Sequence, residues 1–571
     1  MVDKAHDPVV EALLGQAADG EVVQPNNGKL MSALSIDLES RDRVKLAGKM
    51  VVGTAAGRSD NNTISEAQLA MLVQESLGNC PKYLNKKTIR AHLPSPELIS
   101  SSLPLPPDAL SLIDKADMFF VSSTNGQTMD TNHRGGPAGF VRVVSNSPSN
   151  DGGDGVVLVY PEYSGNRLYQ TLGNLHTNPL IGIAIPDYTT SDILYLTGSS
   201  QLLVGATAAS LLPHTSLAVK ITVHAARLVK NSLPFRGTPG EPSPYNPPVR
   251  RLATEQPSGG SEPLAPPSAP LATATLLRRE LLTPTIARFT FLLRRHRHPS
   301  SPQGGQQGSS STAGLQPWWQ PGQHVTLSFA SELDLGYSHM RDADPQSLND
   351  DFVRTFTISN PPPPAAQNNE QLLAAGEDRG TGAAVGEVEV EVQLTLRRHG
   401  PATGLLFAHP LGPGAGTLEV PVLGIGGEEG FRLSSAVGAG KKAVFVAGGI
   451  GITPLLAQAQ APGLLSAAAG REALEVLWSV RGEDLGLVVD TLERVQGLGS
   501  VATVFVTGNV RDGEERKALE RVKELGARAE VRRMGQEDVL GVRDAERGTK
   551  YFASVLGWLG EEEVVFESFE Y

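Results

Sequence analysis

The sequence predicts a multidomain protein with β-barrels in its first half, followed by an antiparallel β-barrel and a parallel-sheet α/β domain. Three observations predict this fold class. Residues 387–396 alternate between polar and apolar side chains, which is typical of a half-buried antiparallel strand. After Gly440, short and continuously apolar strands alternate with helical segments, which indicates a parallel sheet covered on both faces. In the first half, one β-hairpin pattern occurs twice.

The composition of the chain argues against several classes of function. The chain has 571 residues, 40% hydrophobic and 19% charged, which favours about three to four folded units. The net charge is −12 and no Lys/Arg stripe is present, so we expect no nucleic-acid partner. Cys80 is the single cysteine, which excludes an internal disulfide and a thiolate-held cluster, and no metal site is expected. Any electron transfer would therefore use organic cofactors.

Targeting signals and membrane spans each have a recognisable sequence pattern. No apolar run approaches the ~18 residues of a membrane span, so no membrane partner is expected. Residues 1–7 include two acids and no apolar segment, so no secretory signal is visible. A cytoplasmic location is the resulting expectation.

The first half contains an internal repeat with an offset of 150 residues. The matching positions are Asp37 and Asp187, Asp42 and Asp192, Leu46 and Leu196, and Gly48 and Gly198. Each copy has an apolar strand before the first Asp, a polar turn and a second strand, which predicts a repeated β-hairpin. Chance is the alternative, because few identities carry the match. We expect residues 1–95 to form a truncated first copy and residues 110–235 to form the larger second copy.

Changes in composition divide the rest of the chain. Residues 236–270 contain ten prolines among Gly and Ser, which predicts an extended linker. Residues 271–435 read as strands and are expected to form the antiparallel barrel. Residues 436–571 carry the βαβ pattern and are expected to form the parallel-sheet domain.

The sharpest local motif is the segment 444–454, VFVAGGIGITP, a buried strand that runs into a glycine turn and a helix. Gly448, Gly449 and Gly451 would let the backbone approach a pyrophosphate closely. Thr453 and Pro454 follow, and proline is favoured at an early helical position. The motif indicates a dinucleotide-binding turn, and a strand-to-helix turn without a ligand is the alternative.

Two further motifs fit an anionic, ring-bearing ligand. In the segment 354–359, RTFTIS, Arg354 could clamp a phosphate, Phe356 could stack on a planar ring and Thr357 could offer a hydroxyl to a ring nitrogen. Gly400 and Thr403 open a short helix that is suited to holding an anion. Each motif alone is more often structural, but together and in this order they are specific.

At these residues the second half resembles the ferredoxin-NADP reductase-like flavoproteins. The resemblance implies that Arg354, Phe356 and Thr357 hold the flavin of FAD and its phosphate, with Thr357 as the catalytic contact near flavin N5. It implies a pyrophosphate turn at Gly400 and Thr403. The residues implied for NAD(P)H are Gly448, Gly449, Gly451, Thr453, Pro454, Ser479 and Arg481. The choice between NADH and NADPH stays open.

One departure from that family matters. Its members usually carry a Cys-Gly-Pro turn beside the nicotinamide, whereas here Ala553 runs straight into residues 554–559. The turn looks deleted. This keeps a second interpretation open, a flavin-binding protein with impaired or no NAD(P)H reductase activity.

The first half resembles the pyridoxamine 5′-phosphate oxidase-like split barrels, most clearly over residues 116–237. The matching stretches are HRGGP at 133–137 and YPEYSGNR at 160–167. The resemblance implies FMN held between two subunits, with Arg134, Asn166 and Arg167 near its phosphate, and a homodimer through the split barrel. Flavin-free relatives share the pattern, so FMN stays open.

These expectations combine into one function, a flavin-dependent oxidoreductase. NAD(P)H would give hydride to FAD, and electrons would pass to a small-molecule or small redox-protein acceptor, either directly or via a flavin at the split barrel. The alternatives are the flavin-binding protein without reductase activity and, third, a protein-interaction scaffold.

Overall fold

The computed structural model separates the chain into two compact units. Unit 1 comprises residues 1–255 and 337–350, and unit 2 comprises residues 256–336 and 351–571. The structure describes residues 13–14, 18, 20–56, 66–78, 80–148, 154–255, 270–295, 318–334, 336, 341–363, 389–414, 416–427, 430–460, 464–465, 470–511, 513–543, 548–553 and 564–566. Among the helices of these residues, none is both long and apolar enough to cross a membrane.

Unit 1 begins with a small antiparallel sheet built around one long strand. Its strands are β1 (Val22–Val23), β2 (Lys29–Ile36), β3 (Arg43–Ala56) and β4 (Glu66–Gly78). Strand β3 pairs with β2 and β1 along one edge and with β4 along the other. A small cluster of buried Leu14, Met50 and Ala55 lies on this sheet.

The second sheet of unit 1 has eight strands in the order β8-β7-β11-β12-β13-β10-β9, with β6 also paired to β13. The strands are β6 (Glu97–Ser100), β7 (Met118–Thr124), β8 (Met129–Gly135), β9 (Arg142–Asn146), β10 (Val156–Pro161), β11 (Leu180–Asp187), β12 (Asp192–Val204) and β13 (Leu217–Lys230). The helices are α1 (Pro107–Lys115), α2 (Gln170–Thr177) and α3 (Ala206–Leu211). Alternate side chains of the strands fill one large apolar core with those of α1 and α2.

The repeated hairpin is confirmed, and the repeat extends beyond it. Strands β2 and β3 pair around the Asp37 turn as β11 and β12 pair around the Asp187 turn. Both turns place a non-glycine residue at positive φ at the same repeat position, Arg41 at 70° and Ser191 at 71°. Each copy then adds a third antiparallel strand, β4 or β13, so a three-stranded meander is duplicated.

The two larger sheets of unit 1 contact each other through β8. Ser32 of β2 and Thr131 of β8 share a hydroxyl–hydroxyl hydrogen bond of 2.6 Å. Lys45 of β3 forms an ion pair with Asp130, and both side chains are buried. The first copy of the meander therefore packs through polar contacts on β8, an edge strand of the sheet that contains the second copy.

The extended linker predicted over residues 236–270 is wrong for its first twenty residues. Strand β14 (Phe235–Pro239) pairs with β5 (Lys87–Ala91). Beyond it, the buried backbone N–H of Ser243 donates to Asn85 Oδ1 at 2.8 Å, and a 3-10 turn spans Ala253–Glu255. Proline is compatible with an edge strand and with turns, because no hydrogen bond there requires the backbone N–H that proline lacks. Residues 256–269 lie outside the described residues.

Unit 2 opens with a six-stranded antiparallel barrel in the order β18-β17-β20-β15-β16-β19. The strands are β15 (Ala272–Leu281), β16 (Ile286–Arg295), β17 (His324–Ser328), β18 (Val353–Thr357), β19 (Glu389–Arg397) and β20 (Glu419–Gly426). A bridge between Ile358 and Leu394 joins the β18 side to β19 and so closes the order. The elements between the strands are α4 (Ala330–Leu333), a 3-10 turn at Pro345–Asn349, which belongs to unit 1, and α5 (Gly400–Ala408).

The final part of unit 2 is an all-parallel sheet in the order β24-β23-β22-β21-β25-β26. The strands are β21 (Lys442–Gly448), β22 (Leu474–Arg481), β23 (Ala502–Thr507), β24 (Arg528–Glu530), β25 (Thr549–Ala553) and β26 (Val564–Phe566). The helices are α6 (Leu433–Gly438), α7 (Thr453–Ala459), α8 (Gly470–Ala473), α9 (Leu485–Arg494), α10 (Leu498–Val501), α11 (Glu514–Glu524) and α12 (Gln536–Leu540), with 3-10 turns at Gly449–Ile452 and Gly482–Asp484. The predicted βαβ pattern is confirmed, because apolar strands β21, β22 and β23 are buried between helices.

Candidate functional site

The glycine segment lies at the carboxyl end of β21. Gly448 ends the strand, Gly449 has a φ of +51°, and the three glycines are half-buried. The indole Nε1–H of buried Trp478 donates to the carbonyl of Gly449 at 2.9 Å and fixes the turn. Thr453 and Pro454 are buried at the start of α7, so they support the turn from its protein side. The backbone of the glycines is the part of the motif that a ligand can approach.

The order of the sheet places this turn at a topological switch point. Strand β22 lies on one side of β21 and β25, the fifth strand of the sheet in sequence, lies on the other. In an open parallel sheet, connections that leave in opposite directions open a crevice at the carboxyl ends of the strands, where nucleotides bind. Ser479 lies beside Gly448 in the register of β22, and the Arg481 side chain is 74% exposed at the same edge.

The strand with the RTFTIS motif forms part of the barrel wall. Arg354 is half-buried, and its Nη1 donates to the carbonyl of Val353 at 2.9 Å. Thr357, at the other end of β18, is paired with His324 of β17. Gly322, just before β17, faces Gln458 of α7, because a Cβ added there would lie 2.7 Å from the Gln458 amide nitrogen. Strand β18 therefore points its Thr357 end toward the helix that follows the glycine turn.

Phe356 is expected to stack on a planar ring, but its position in the structure does not allow this. The ring is 5% exposed, lies in the barrel core and packs edge-on against Phe329, with ring centroids 6.3 Å apart. Because side chains alternate along a strand, Phe356 shares a face with Arg354, but it lies deeper in the barrel. It therefore supports the strand and does not offer a face to a ring system.

The Gly400 turn could offer a ligand its backbone groups but not the Thr403 hydroxyl. Gly400 has a φ of +71°, and a Cβ added to it would meet nothing within 4 Å, so open space lies over this turn. The Thr403 hydroxyl accepts from the N–H of His399 at 2.6 Å and also donates to the carbonyl of His399. The Thr403 hydroxyl is thus used to cap its own helix. The predicted anion contact could then be made only by the backbone at Gly400.

The three motifs belong to adjoining elements of unit 2. The Ile358–Leu394 bridge joins the end of β18 to β19, and β19 leads into Gly400. Arg397, at the end of β19, pairs with buried Asp484 at 2.6 Å, on the 3-10 turn before α9. A Cβ added to Gly449 would lie 3.9 Å from Arg397 Nη2. The end of β19 thus lies between the Gly400 turn and the glycine turn. Sequence reasoning missed Arg397, Asp484 and Trp478, because single side chains in strand and turn positions carry no local signal.

Arg134, Asn166 and Arg167, the residues predicted for the first half, line one pocket of unit 1. The Arg134 Nε–H donates to Glu162 at 2.8 Å; burial alone would lower the pKa of Arg134, but the Glu162 carboxylate raises it above its usual range. Asn166 Oδ1 accepts from the N–H of Leu168 at 3.0 Å, and Arg167 is exposed. Sequence reasoning missed Lys45 and Tyr83, which line the same pocket.

His133 also lines this pocket and is buried. Burial, with the nearby charges of Arg134, Arg43 and Lys45, lowers its pKa to about 3. The imidazole is therefore neutral near pH 7. In the described part of the chain, no three His, Cys, Asp or Glu side chains are grouped as a metal ion would need.

Comparisons with known proteins assign no family. No family model matches the chain, and no curated protein matches it. The flavohem-like FAD/NAD-binding domain of a Vibrio cholerae nitric oxide dioxygenase aligns with 52% of this chain and 98% of its own, at 11% identity and a TM-score of 0.29. The cytochrome b5 reductase domain of Ulva prolifera nitrate reductase aligns with 50% and 89%, at 13% identity and a TM-score of 0.26. Group A Streptococcus HupZ aligns with 22% and 98%, at 14% identity and a TM-score of 0.17.

Proposed function

We propose that unit 2 is a flavin-dependent oxidoreductase module, with FAD on the antiparallel barrel and NAD(P)H at the carboxyl edge of the parallel sheet. The observation that carries the proposal is the glycine turn at the switch point between β21 and β25, with the barrel strand β19 ending against it. A nucleotide bound there and a ring bound at the Thr357 end of β18 would be neighbours. Positioning two cofactors side by side is the main work of such a protein.

The residues present fit a flavin dinucleotide. Arg354 supplies a cation for a phosphate, and the open backbone over Gly400 supplies room for a diphosphate. Thr357, which is as buried as Phe356, would border the flavin ring at the end of β18. The chemistry that a bound flavin supplies is acceptance of hydride from a nicotinamide and release of electrons to an acceptor.

The residues present also fit a nicotinamide dinucleotide. The glycine cradle at Gly448, Gly449 and Gly451 leaves the backbone open to a pyrophosphate. Ser479 and exposed Arg481, at the end of the neighbouring strand, would bind the adenosine ribose or its 2′-phosphate. Trp478 holds the turn from β22 through its hydrogen bond to the Gly449 carbonyl, and Arg397 lies beside Gly449 on the barrel side. The acceptor is a small molecule or a small redox protein in this proposal.

The test is anaerobic addition of NADPH or NADH to the purified protein. Loss of the oxidised-flavin absorption supports the oxidoreductase, and a preference for NADPH that Arg481→Gln abolishes supports the placement of the ribose. Yellow protein that neither nucleotide bleaches, but that dithionite does, favours a flavin-binding protein without reductase activity. The absence of a Cys-Gly-Pro turn after Ala553 motivates that second candidate, and residues 554–563 lie outside the described residues. Colourless protein that takes up no added FAD overturns both.

A further inference from the structure

Strand β4 is paired along only one of its edges within the described part of the chain, where β3 is its sole strand partner. Its counterpart in the second copy of the meander is β13, which pairs with β12 along one edge and with β10 along the other. Residues 218–222 of β13, which pair with β10, correspond to residues 68–72 of β4 at the repeat offset of 150. In the first copy no described strand lies at this position, so the outer edge of β4 is open to another strand.

The side chains of β4 are apolar although they lie at the surface. Leu69 and Val73 are 40% and 45% exposed, and Leu72 is 58% exposed. The counterparts of Leu69 and Val73 in the second copy are Val219 and Val223. These two are 0% and 5% exposed and belong to the large apolar core. The first copy therefore presents to solvent a strand whose repeat counterpart is covered, and exposed apolar surface of this kind marks an interaction site.

Strand β4 also lacks the features that usually keep an edge strand from pairing with another chain. Those features are lysine or proline in the strand, an inward-pointing charge, or a bulge that twists the edge away. The segment 67–74, AQLAMLVQ, contains no charge and no proline. The extra residue that the register shift at Gly48 adds to β4 is Gln74, which lies beyond residues 69–73. Residues 69–73 are therefore uncharged strand without a bulge of their own.

We propose that the outer edge of β4 pairs antiparallel with β4 of a second copy of this chain, about a two-fold axis at Met71. In this register Leu69 faces the partner's Val73. Ala70 faces the partner's Leu72, so apolar side chains meet on both sides of the axis. The two copies then share one continuous antiparallel sheet, and each contributes the same surface to the interface.

The charge near the end of the strand favours this register over the neighbouring one. With the axis at Met71, Glu75 faces the partner's Ala67, so its carboxylate meets no other charge across the strands. With the axis at Leu72, Leu69 would instead face the partner's Glu75, and an apolar side chain would lie against a carboxylate.

This pairing is distinct from the homodimer that the split-barrel resemblance implies. That homodimer would form through the barrel, with FMN between the subunits. In this chain β8 of the eight-stranded sheet already contacts the first copy of the meander, through Thr131 and Asp130. The proposed interface uses β4 of the first copy and no strand of the eight-stranded sheet.

Sedimentation velocity of the whole protein over a series of dilutions tests the proposal. The native chain should form a reversible dimer. Met71→Lys should raise the dissociation constant roughly 100-fold, because it sets two like charges opposite each other at the axis. Val204→Lys is the matched control, because Val204 is 66% exposed at the end of β12, outside the first copy, and this variant should dimerise as the native chain does. Far-UV circular dichroism checks that both variants keep the native fold.

Cross-linking identifies the strand that pairs, even where Met71→Lys fails to fold. Cys80 is the single cysteine, so Cys80→Ser provides a background for one new thiol. In that background Met71→Cys places two thiols opposite each other at the axis, and mild oxidation should link the copies, whereas Val204→Cys should stay unlinked. A native chain that is monomeric at every concentration overturns the proposal. A dimer that persists in folded Met71→Lys protein, or that Met71→Cys does not link, overturns it as well.

Discussion

Arg354 is the single side chain that brings a positive charge to the flavin strand, so its removal has a defined effect. We predict that Arg354→Gln weakens FAD binding roughly 10- to 100-fold, because a hydrogen bond to a charged group contributes about 1.5–3 kcal/mol. Equilibrium dialysis of FAD measures the change. Arg278→Gln is the matched control, because Arg278 is an exposed cation on the same barrel whose partner is Glu391. FAD affinity that is equal in the two variants would remove Arg354 from the site.

His133 makes the stability of unit 1 depend on pH. Its folded pKa of about 3 lies below the ordinary 6.5, so between these values the unfolded chain binds the extra proton. Stability from this group is therefore complete above pH 6.5 and falls as the pH falls toward 3. We predict a loss of about 2 kcal/mol between pH 7 and pH 5. Urea unfolding followed by far-UV circular dichroism measures it, and the slope should be smaller in His133→Gln. A slope that His133→Gln leaves unchanged would contradict the assignment.

The burial of the Phe356 ring could not be predicted from the sequence. Its position two residues after Arg354 predicts that both lie on one face of the strand. The burial of Phe356 comes from packing in the barrel core, where its ring contacts Phe329 at the end of the neighbouring strand β17. Burial of that kind is set by tertiary packing, and local spacing carries no information about it.

At the scale of elements, each copy of the duplicated meander requires one glycine, at the position where its strand pairing shifts register. Both copies shift register at this glycine, between Ala47 and Gly48 and between Thr197 and Gly198. A Cβ would come within 2.0 Å of Leu72 O at Gly48 and within 2.2 Å of Thr222 O at Gly198. The glycine is thus required because a neighbouring strand carbonyl occupies the space of a side chain.

We predict that Gly198→Ala destabilises unit 1 by about 1–3 kcal/mol, as overpacking against backbone does. Gly182→Ala, in the same sheet, is the control, because its Cβ would meet Ser122 Cβ at an ordinary 3.9 Å. Its effect should stay within about 0.5 kcal/mol. Urea midpoints of the two variants give the comparison, and equal midpoints would show that the register shift does not need glycine.

The elements themselves were largely predictable from sequence, and the exceptions have physical causes. The repeat was visible because turn chemistry at Asp37 and Asp187 is local, with each carboxylate accepting backbone N–H groups of its own turn. The proline content of residues 236–255 predicts a linker. Their order comes from long-range partners such as Asn85, which composition does not reveal.

At the scale of the whole molecule, an ion pair with one buried carboxylate links the barrel to the parallel-sheet part of unit 2. The Asp484 side chain is 2% exposed and pairs with Arg397. We predict that Arg397→Gln destabilises unit 2 by about 3 kcal/mol, because it leaves a buried carboxylate unpaired. Tryptophan fluorescence reports this unit selectively, since all four tryptophans fall in its sequence. Arg511→Gln should change little, because the Arg511 side chain is 80% exposed, and a similar change in both variants would refute the role of the pair.

In the proposed function, the glycine turn at residues 448–451 would hold NAD(P)H so that its nicotinamide could reduce a flavin held by the barrel. Single-turnover reduction of the bound flavin by NAD(P)H, compared between the native chain and Gly449→Val, tests it most directly. Gly449 has a φ of +51°, which a β-branched residue does not adopt, so the turn must move. We predict equal flavin content, equal reduction by dithionite, and reduction by NAD(P)H slowed roughly 100-fold. Equal rates of reduction by NAD(P)H in both proteins would contradict the claim.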